Sequence, residues 1–172
     1  MNMVLPLPRI LGSVLFLAIA LLYLRVSSRL GSYNPIDWPH QRVGPLRLLS
    51  GTQSYGNFRI NSGIGGENLS ANGTEFGSGV GTHAKSDITA KVAGDSVMLS
   101  GACIYPDYVD SGEIICAIEG ENRVIFQSKV LSRTRRREDF SIQIPKDRIV
   151  RLRIGSARES IYQAHGAWVG LQ

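Results

Sequence analysis

The sequence predicts an all-β domain, a sandwich or barrel. Two features argue for it. Apolar residues recur in short runs with period two, the mark of half-buried strands. Turn signals come often, with 19 glycines and 7 prolines in 172 residues. No βαβ rhythm, internal repeat or low-complexity tract interrupts this pattern, and 43% hydrophobic residues suffice for one core. The formal charge of +5 and pI near 9.5 bias the chain toward anionic surfaces without identifying one.

The amino-terminal segment stands apart. Ile10 to Leu24 is apolar without a charge, preceded by Arg9 and followed by Arg25 and Arg29. Fifteen such residues are short of the ~20 a full span needs; counting from Met3 lengthens the run, with Arg9 snorkelling. Two readings compete, a cleaved signal peptide and an uncleaved signal anchor, and the absence of a clean small-residue cleavage site favours the anchor. Residues 1–26 are therefore expected as a hydrophobic helix that enters the membrane through residues 10–24. Residues 27–45, broken by Pro35, Pro39 and Pro45, are expected as a linker. The globular domain is expected over 46–172. Counting basic residues near the apolar run would leave that domain in the cytoplasm.

Within the domain, Leu46–Leu49 and Tyr55–Ile60 read as strands, followed by a glycine-rich loop at Asn61–Gly66. Leu69 to Phe76 carries Asn72-Gly73, a hairpin-turn dipeptide. Gly77, Gly79 and Gly81 read as a flexible corner that ends in His83. A strand follows, with Ile88, Ala90 and Val92 on one face and Asp87, Thr89 and Lys91 on the other. Gly79, Gly81 and Ala84 fit a loose dinucleotide-loop pattern, but a strand rather than a helix follows, so no helix N-terminus can meet a pyrophosphate. Val97–Ile104, Glu113–Ile118, Val124–Gln127, Phe140–Ile144, Val150–Ile154 and Ala167–Leu171 complete eight or nine strands.

Asn61-Ser62-x-x-Gly65, then Gly79-Val80-Gly81-Thr82-His83-Ala84-x-Ser86-x-Ile88, resembles the NPCBM family of carbohydrate-binding modules. Ile118-x-Gly120 with Val124-Ile125-Phe126-x-Ser128, and the closing His165-Gly166-Ala167-Trp168, are similar to later blocks of that family in the same order. The resemblance spans Leu46 to Gln172. It implies a galactose-binding-like antiparallel β-sandwich (a jelly roll) with a non-catalytic sugar-binding role. It also implies a place outside the cytoplasm, periplasmic or on the cell surface, which outweighs the charge count; a cleaved signal would make the protein secreted. The expected partner is a glycan or cell-wall polysaccharide, with envelope proteins as further partners. Two departures bear on this. Ala164 and Ala167 stand where the family carries acids around the final His and Trp, and Tyr105-Pro106-Asp107 replaces an acidic loop. They leave open an assembly module on the same scaffold with a degenerate sugar site.

Sugar binding requires flat apolar faces and hydroxyl-binding polar groups. Loop aromatics include Tyr55, Tyr105, Tyr108 and Tyr162; the chosen set is Tyr105, Asp107, Tyr108, Tyr162 and Gln163, against the plain alternative of ordinary surface residues. His83 and His165 either meet a ligand or pin corners by donating to backbone carbonyls. Trp168 is read as core. Arg133, Arg135, Arg136 and Arg137 form a basic loop, either an anion patch or a solvated run. Cys103 and Cys116 either bridge or stay as buried thiols. No metal-ligand spacing, cofactor motif, catalytic carboxylate pair or nucleophile motif is evident, and the arginines lack the aromatic interleaving of a nucleic-acid surface.

Overall fold

A computed structural model describes residues 41–172. The expected hydrophobic helix, its membrane entry and most of the expected linker lie outside the described residues. Among the described residues no helix is long and apolar enough to cross a membrane.

Thirteen strands form two antiparallel sheets and a small hairpin. They are β1 (Arg42–Val43), β2 (Leu46–Gln53), β3 (Arg59–Ile60), β4 (Ser70–Ala71), β5 (Thr74–Glu75), β6 (Gly79–His83) and β7 (Ser86–Val92). Then come β8 (Met98–Ile104), β9 (Ile114–Gly120), β10 (Arg123–Gln127), β11 (Arg137–Gln143), β12 (Ile149–Ser156) and β13 (His165–Val169). One sheet has the order β1-β2-β7-β12-β9-β10 and the other β11-β8-β13-β6-β3. From β6 onward every connection except β9 to β10 passes from one sheet to the other. The fold is thus an all-β sandwich whose loops bridge its two layers at each end.

Alternation decides which side chains fill the space between the sheets. Ile88, Ala90 and Val92 of β7 and Val150, Leu152 and Ile154 of β12 point inward and are buried. Across the core, Trp168 is fully buried with its ring edge-on to Phe140 at 5.8 Å, and Phe140 meets Phe126 at 5.3 Å. Cys103 of β8 and Cys116 of β9 lie on different sheets and are joined by a disulfide, Cα atoms 6.5 Å apart. The bridge left open by the sequence is therefore a tie between the layers.

The two sheets differ on their outer faces. Residues 61–76 fold over the five-stranded sheet, where Leu69, Ala71 and Phe76 pack on Ala102, Ile104, Ala167 and Val169. All of β6 is buried as a result. A Cβ on Gly81 would sit 2.3 Å from the Ser62 carbonyl oxygen, and one on Gly79 would sit 2.6 Å from the Trp168 oxygen. Gly79 and Gly81 therefore belong to a central strand, not to the expected corner; the chain turns one step later, at Ala84-Lys85. The outer face of the six-stranded sheet is uncovered among the described residues and alternates polar and apolar. There Arg151 and Arg153 of β12 lie between Asp87 of β7 and Glu119 of β9, with contacts from 2.5 to 3.6 Å.

Turn chemistry follows the sequence. Asn72 and Gly73 both have positive φ and close the β4–β5 hairpin. Glu121 and Asn122 do the same between β9 and β10. Arg42 and Val43 pair with Arg47 and Leu46, and Val43 is buried, so the last residues assigned to the linker belong to the domain.

Two outcomes are expected. Replacing both Cys103 and Cys116 by Ala lowers unfolding free energy by about 3 kcal/mol in a denaturant titration, because the unfolded chain loses its cross-link. Gly81→Ala costs about 1–3 kcal/mol in the same assay, since the added methyl meets backbone that has nowhere to move.

Candidate functional site

β6 ends at His83, and its register partner on β13 is His165. The two rings lie 5.2 Å apart, centroid to centroid. Tyr55, from the loop after β2, extends the row on the His83 side at 5.3 Å, and Tyr108, from the β8–β9 loop, extends it on the His165 side at 5.9 Å. Four rings from four segments therefore run in sequence across one end of the sandwich. Tyr55 keeps 66% of its surface exposed, while His83 is buried at 4%.

Backbone geometry fixes the proton on His83. Its Nδ1 hydrogen-bonds the carbonyl oxygen of Ala84, which only accepts, so Nδ1 donates and Nε2 is left as an acceptor. Ser54 Oγ donates to the same carbonyl and accepts from the Lys85 amide at 2.9 Å. Gln53 Oε1 accepts from the His83 amide at 3.1 Å, while its buried Nε2 has no partner in the structure. The buried Nδ1 of His165 also lacks one. Such atoms carry a desolvation cost that a suitable hydroxyl or water relieves. Burial pulls both imidazoles below the ordinary 6.5; the Ala84 carbonyl opposes this at His83, while at His165 the neighbouring His83 adds to it and Glu67 opposes it. Burial likewise pushes the Tyr108 phenol above its ordinary value. Both histidine shifts favour the neutral imidazole. His83 thus donates to a backbone carbonyl at its corner; His165 makes no such bond through Nδ1.

The other expected site residues divide. Tyr162, on the β12–β13 loop, is 73% exposed and offers a free ring face. Gln163 adopts positive φ and accepts a hydrogen bond from Ser111 Oγ, which ties this loop to the β8–β9 loop. Tyr105 is not a platform: it is 0% exposed, and its hydroxyl donates to the Ser111 carbonyl at 2.5 Å. Asp107 is also committed to the fold. Its two oxygens accept from the Asn72 and Gly73 amides at 2.9 Å and face Arg136 Nε at 3.3 Å. Arg136 in turn donates to the Pro106 carbonyl at 2.7 Å and to that of Val109, and lies over the Tyr105 ring.

That clamp breaks up the expected anion patch. Arg135 pairs with Glu138 at 3.0 Å, and Arg137 pairs with Asp139 and covers the Phe76 ring. Arg133 remains exposed at the tip. Local acids and carbonyls thus take up the charge of three of the four arginines.

Gln53, Ser54 and Glu67 were not among the expected site residues, and Tyr55 was named only as an available aromatic. Gln53 pairs in register with Ser86, which brings residues 53–55 beside the β6–β7 corner. That long-range pairing has no local signature. Among the described residues no group of three His, Cys, Asp or Glu could hold a metal ion.

Comparison with known proteins places this geometry. Residues 40–172 match the model of the NPCBM/NEW2 domain. Over 134 residues the chain is 29% identical to alpha-1,3-galactosidase B of Akkermansia muciniphila, covering 76% of this chain but only 17% of the length of that relative. Among solved structures, the CBM51 of Clostridium perfringens GH95 in complex with methyl-galactose aligns with a TM-score of 0.65 at 18% identity, covering 72% of this chain and 92% of that one. CBM51-2 with the INT domains of Clostridium perfringens ZmpB, in complex with GlcNAc, gives 0.65 at 14% identity, covering 72% and 29%. At such identities the structural likeness is one of fold. The family match covers most of the chain, and the protein belongs to the NPCBM/NEW2 domain family.

Proposed function

We propose that this domain is a non-catalytic module that binds a terminal neutral sugar of a glycan or cell-wall polysaccharide. The observation that carries the reading is the ring row from Tyr55 through His83 and His165 to Tyr108, with unpartnered donor groups beside it. An exposed tyrosine face stacks on the apolar side of a pyranose, and amide and imidazole groups bond its hydroxyls. Tyr162 and Gln163 lie on the β12–β13 loop that leads into His165. Family membership supports the reading, as do the methyl-galactose and GlcNAc complexes of structural neighbours.

The protein is displayed outside the cytoplasm, periplasmic or at the cell surface, by the apolar segment at 10–24. The Cys103–Cys116 bridge supports this reading, because disulfides persist in oxidising compartments. Tyr105 and Asp107, which serve the fold here, favour the second reading, an assembly module that binds envelope proteins with the sugar site lapsed.

Glycan-array screening of the full chain in detergent, followed by titration calorimetry, separates the two. Saturable millimolar or tighter binding to a neutral sugar is expected, with Tyr55→Ala weakening it about tenfold through loss of stacking. No saturable binding to any glycan abandons the sugar reading.

Acid provides a second test. The unfolded chain protonates its histidines near 6.5, whereas the folded chain resists until lower pH. Between those values the unfolded state binds more protons, so stability falls as pH drops below 6.5 and is level above it. Thermal unfolding followed from pH 7.5 to 5 is expected to show that decline, and His165→Gln to flatten it.

A further inference from the structure

Asn72-Gly73 is the one Asn-Gly step in the chain. Asparagine is chemically labile, most of all before glycine, because no side chain hinders the next amide nitrogen. The reaction is an internal attack. The Gly73 nitrogen loses its proton and bonds to Cγ of Asn72, the Cγ–Nδ2 bond breaks, and ammonia leaves. Water then opens the resulting succinimide at either carbonyl. One opening gives aspartate; the other gives isoaspartate, with one extra carbon in the backbone.

The turn gives the reaction no steric cover. Asn72 is exposed, and a Cβ on Gly73 would meet no heavy atom within 4 Å. Any brake must therefore act on the attacking nitrogen itself, and Asp107 is placed to do so. From the β8–β9 loop its Oδ1 accepts from the Asn72 amide and its Oδ2 from the Gly73 amide, each at 2.9 Å. The second of these is the nitrogen that must attack. Asp107 is anchored on both sides. Its own amide donates to the Ser70 carbonyl at 2.9 Å, and Arg136, whose side chain is only 12% exposed, faces Oδ1 at 3.3 Å.

A carboxylate in that place acts in two ways. It holds the Gly73 N–H in a charge-assisted hydrogen bond that the attack must break. Its negative charge also disfavours the amide anion through which the attack proceeds. A carboxylate is far too weak a base to remove an amide proton, so it hinders the step rather than helping it.

We infer that Asn72 is a latent deamidation site and that Asp107 is the residue that keeps it closed. Release has a consequence for the fold. It adds a negative charge to the residue whose amide Asp107 holds, and an isoaspartyl link lengthens a turn built on φ of 53° and 74°. The β4–β5 hairpin then loses its tie to the loop that carries Tyr108. The inference does not depend on what the ring row binds.

The test is peptide mapping by mass spectrometry of the full chain in detergent, aged in mildly alkaline buffer, with a peptide of residues 68–77 as the unshielded reference. Asn72 in the folded chain is expected to convert at least about tenfold more slowly than in the peptide. Asp107→Ser is expected to speed it about tenfold, the change that loss of one charge-assisted hydrogen bond produces. Arg136→Gln removes the ion pair but leaves both amides on Asp107, and it is expected to keep the slow rate. Asn57, on another loop, is expected to keep its rate in every variant. Where Asp107→Ser does not fold by circular dichroism, Asp107→Asn takes its place: it preserves the shape, removes the charge and is expected to give at least about threefold acceleration. Equal rates in wild type and peptide overturn the inference, as does unchanged or slower conversion in the Asp107 variant. Equal acceleration in Arg136→Gln, or parallel acceleration of Asn57, assigns the rate to general loosening and also overturns it.

Discussion

The close passage of residues 61–66 over β6 is the constraint on which the remaining features depend. It is possible only because Gly81 presents no side chain where the Ser62 carbonyl and the Gly63 backbone lie. Once that segment is seated, β6 is buried on both faces and becomes an interior strand with no alternation to show. Its end point is then set by packing rather than by a flexible hinge. His83 is carried to a defined place at the sandwich end, opposite His165 of β13. The glycines thus matter through the volume they leave empty more than through the freedom they allow.

An imidazole pair, His83 buried and His165 half-buried, whose pKa values are both lowered by burial, suits recognition of uncharged ligands. With Nδ1 of His83 committed to the Ala84 carbonyl, Nε2 can only accept, while the unpartnered Gln53 Nε2 can only donate. A sugar hydroxyl is both donor and acceptor, so it satisfies such a mixture where an anion or a cation would satisfy one half of it. The cost of leaving these groups unpaired is borne by the cross-sheet disulfide and the aromatic core around Trp168, which hold the two layers in register.

Much of the fold was legible in the sequence because burial acts through the local period. The alternation of β7, β11 and β12, the Asn72-Gly73 turn and the burial of Trp168 all follow from neighbours a few residues away. β6 was read as a corner because a strand covered on both sides loses its alternation and here gains glycine. For the candidate site, Tyr162 and Gln163 sit on the β12–β13 loop and His83 donates to the Ala84 carbonyl. Tyr105 and Asp107 misled because their roles are set by partners distant in sequence: Asp107 holds the Asn72-Gly73 turn from 34 residues away and meets Arg136 across the sandwich end. Tyr55 acquires its place from the pairing of Gln53 with Ser86, which no local pattern encodes.

Charge shows the same division between local composition and tertiary pairing. Four arginines within five residues are the densest basic run in the chain, yet Glu138, Asp139 and Asp107 take up three of them at 2.6–3.3 Å. Arg42, Arg47 and Lys91, by contrast, are separated by up to 49 positions and become neighbours only through strand register. A basic run in sequence therefore measures local charge density, whereas a surface field depends on which acids the fold brings alongside.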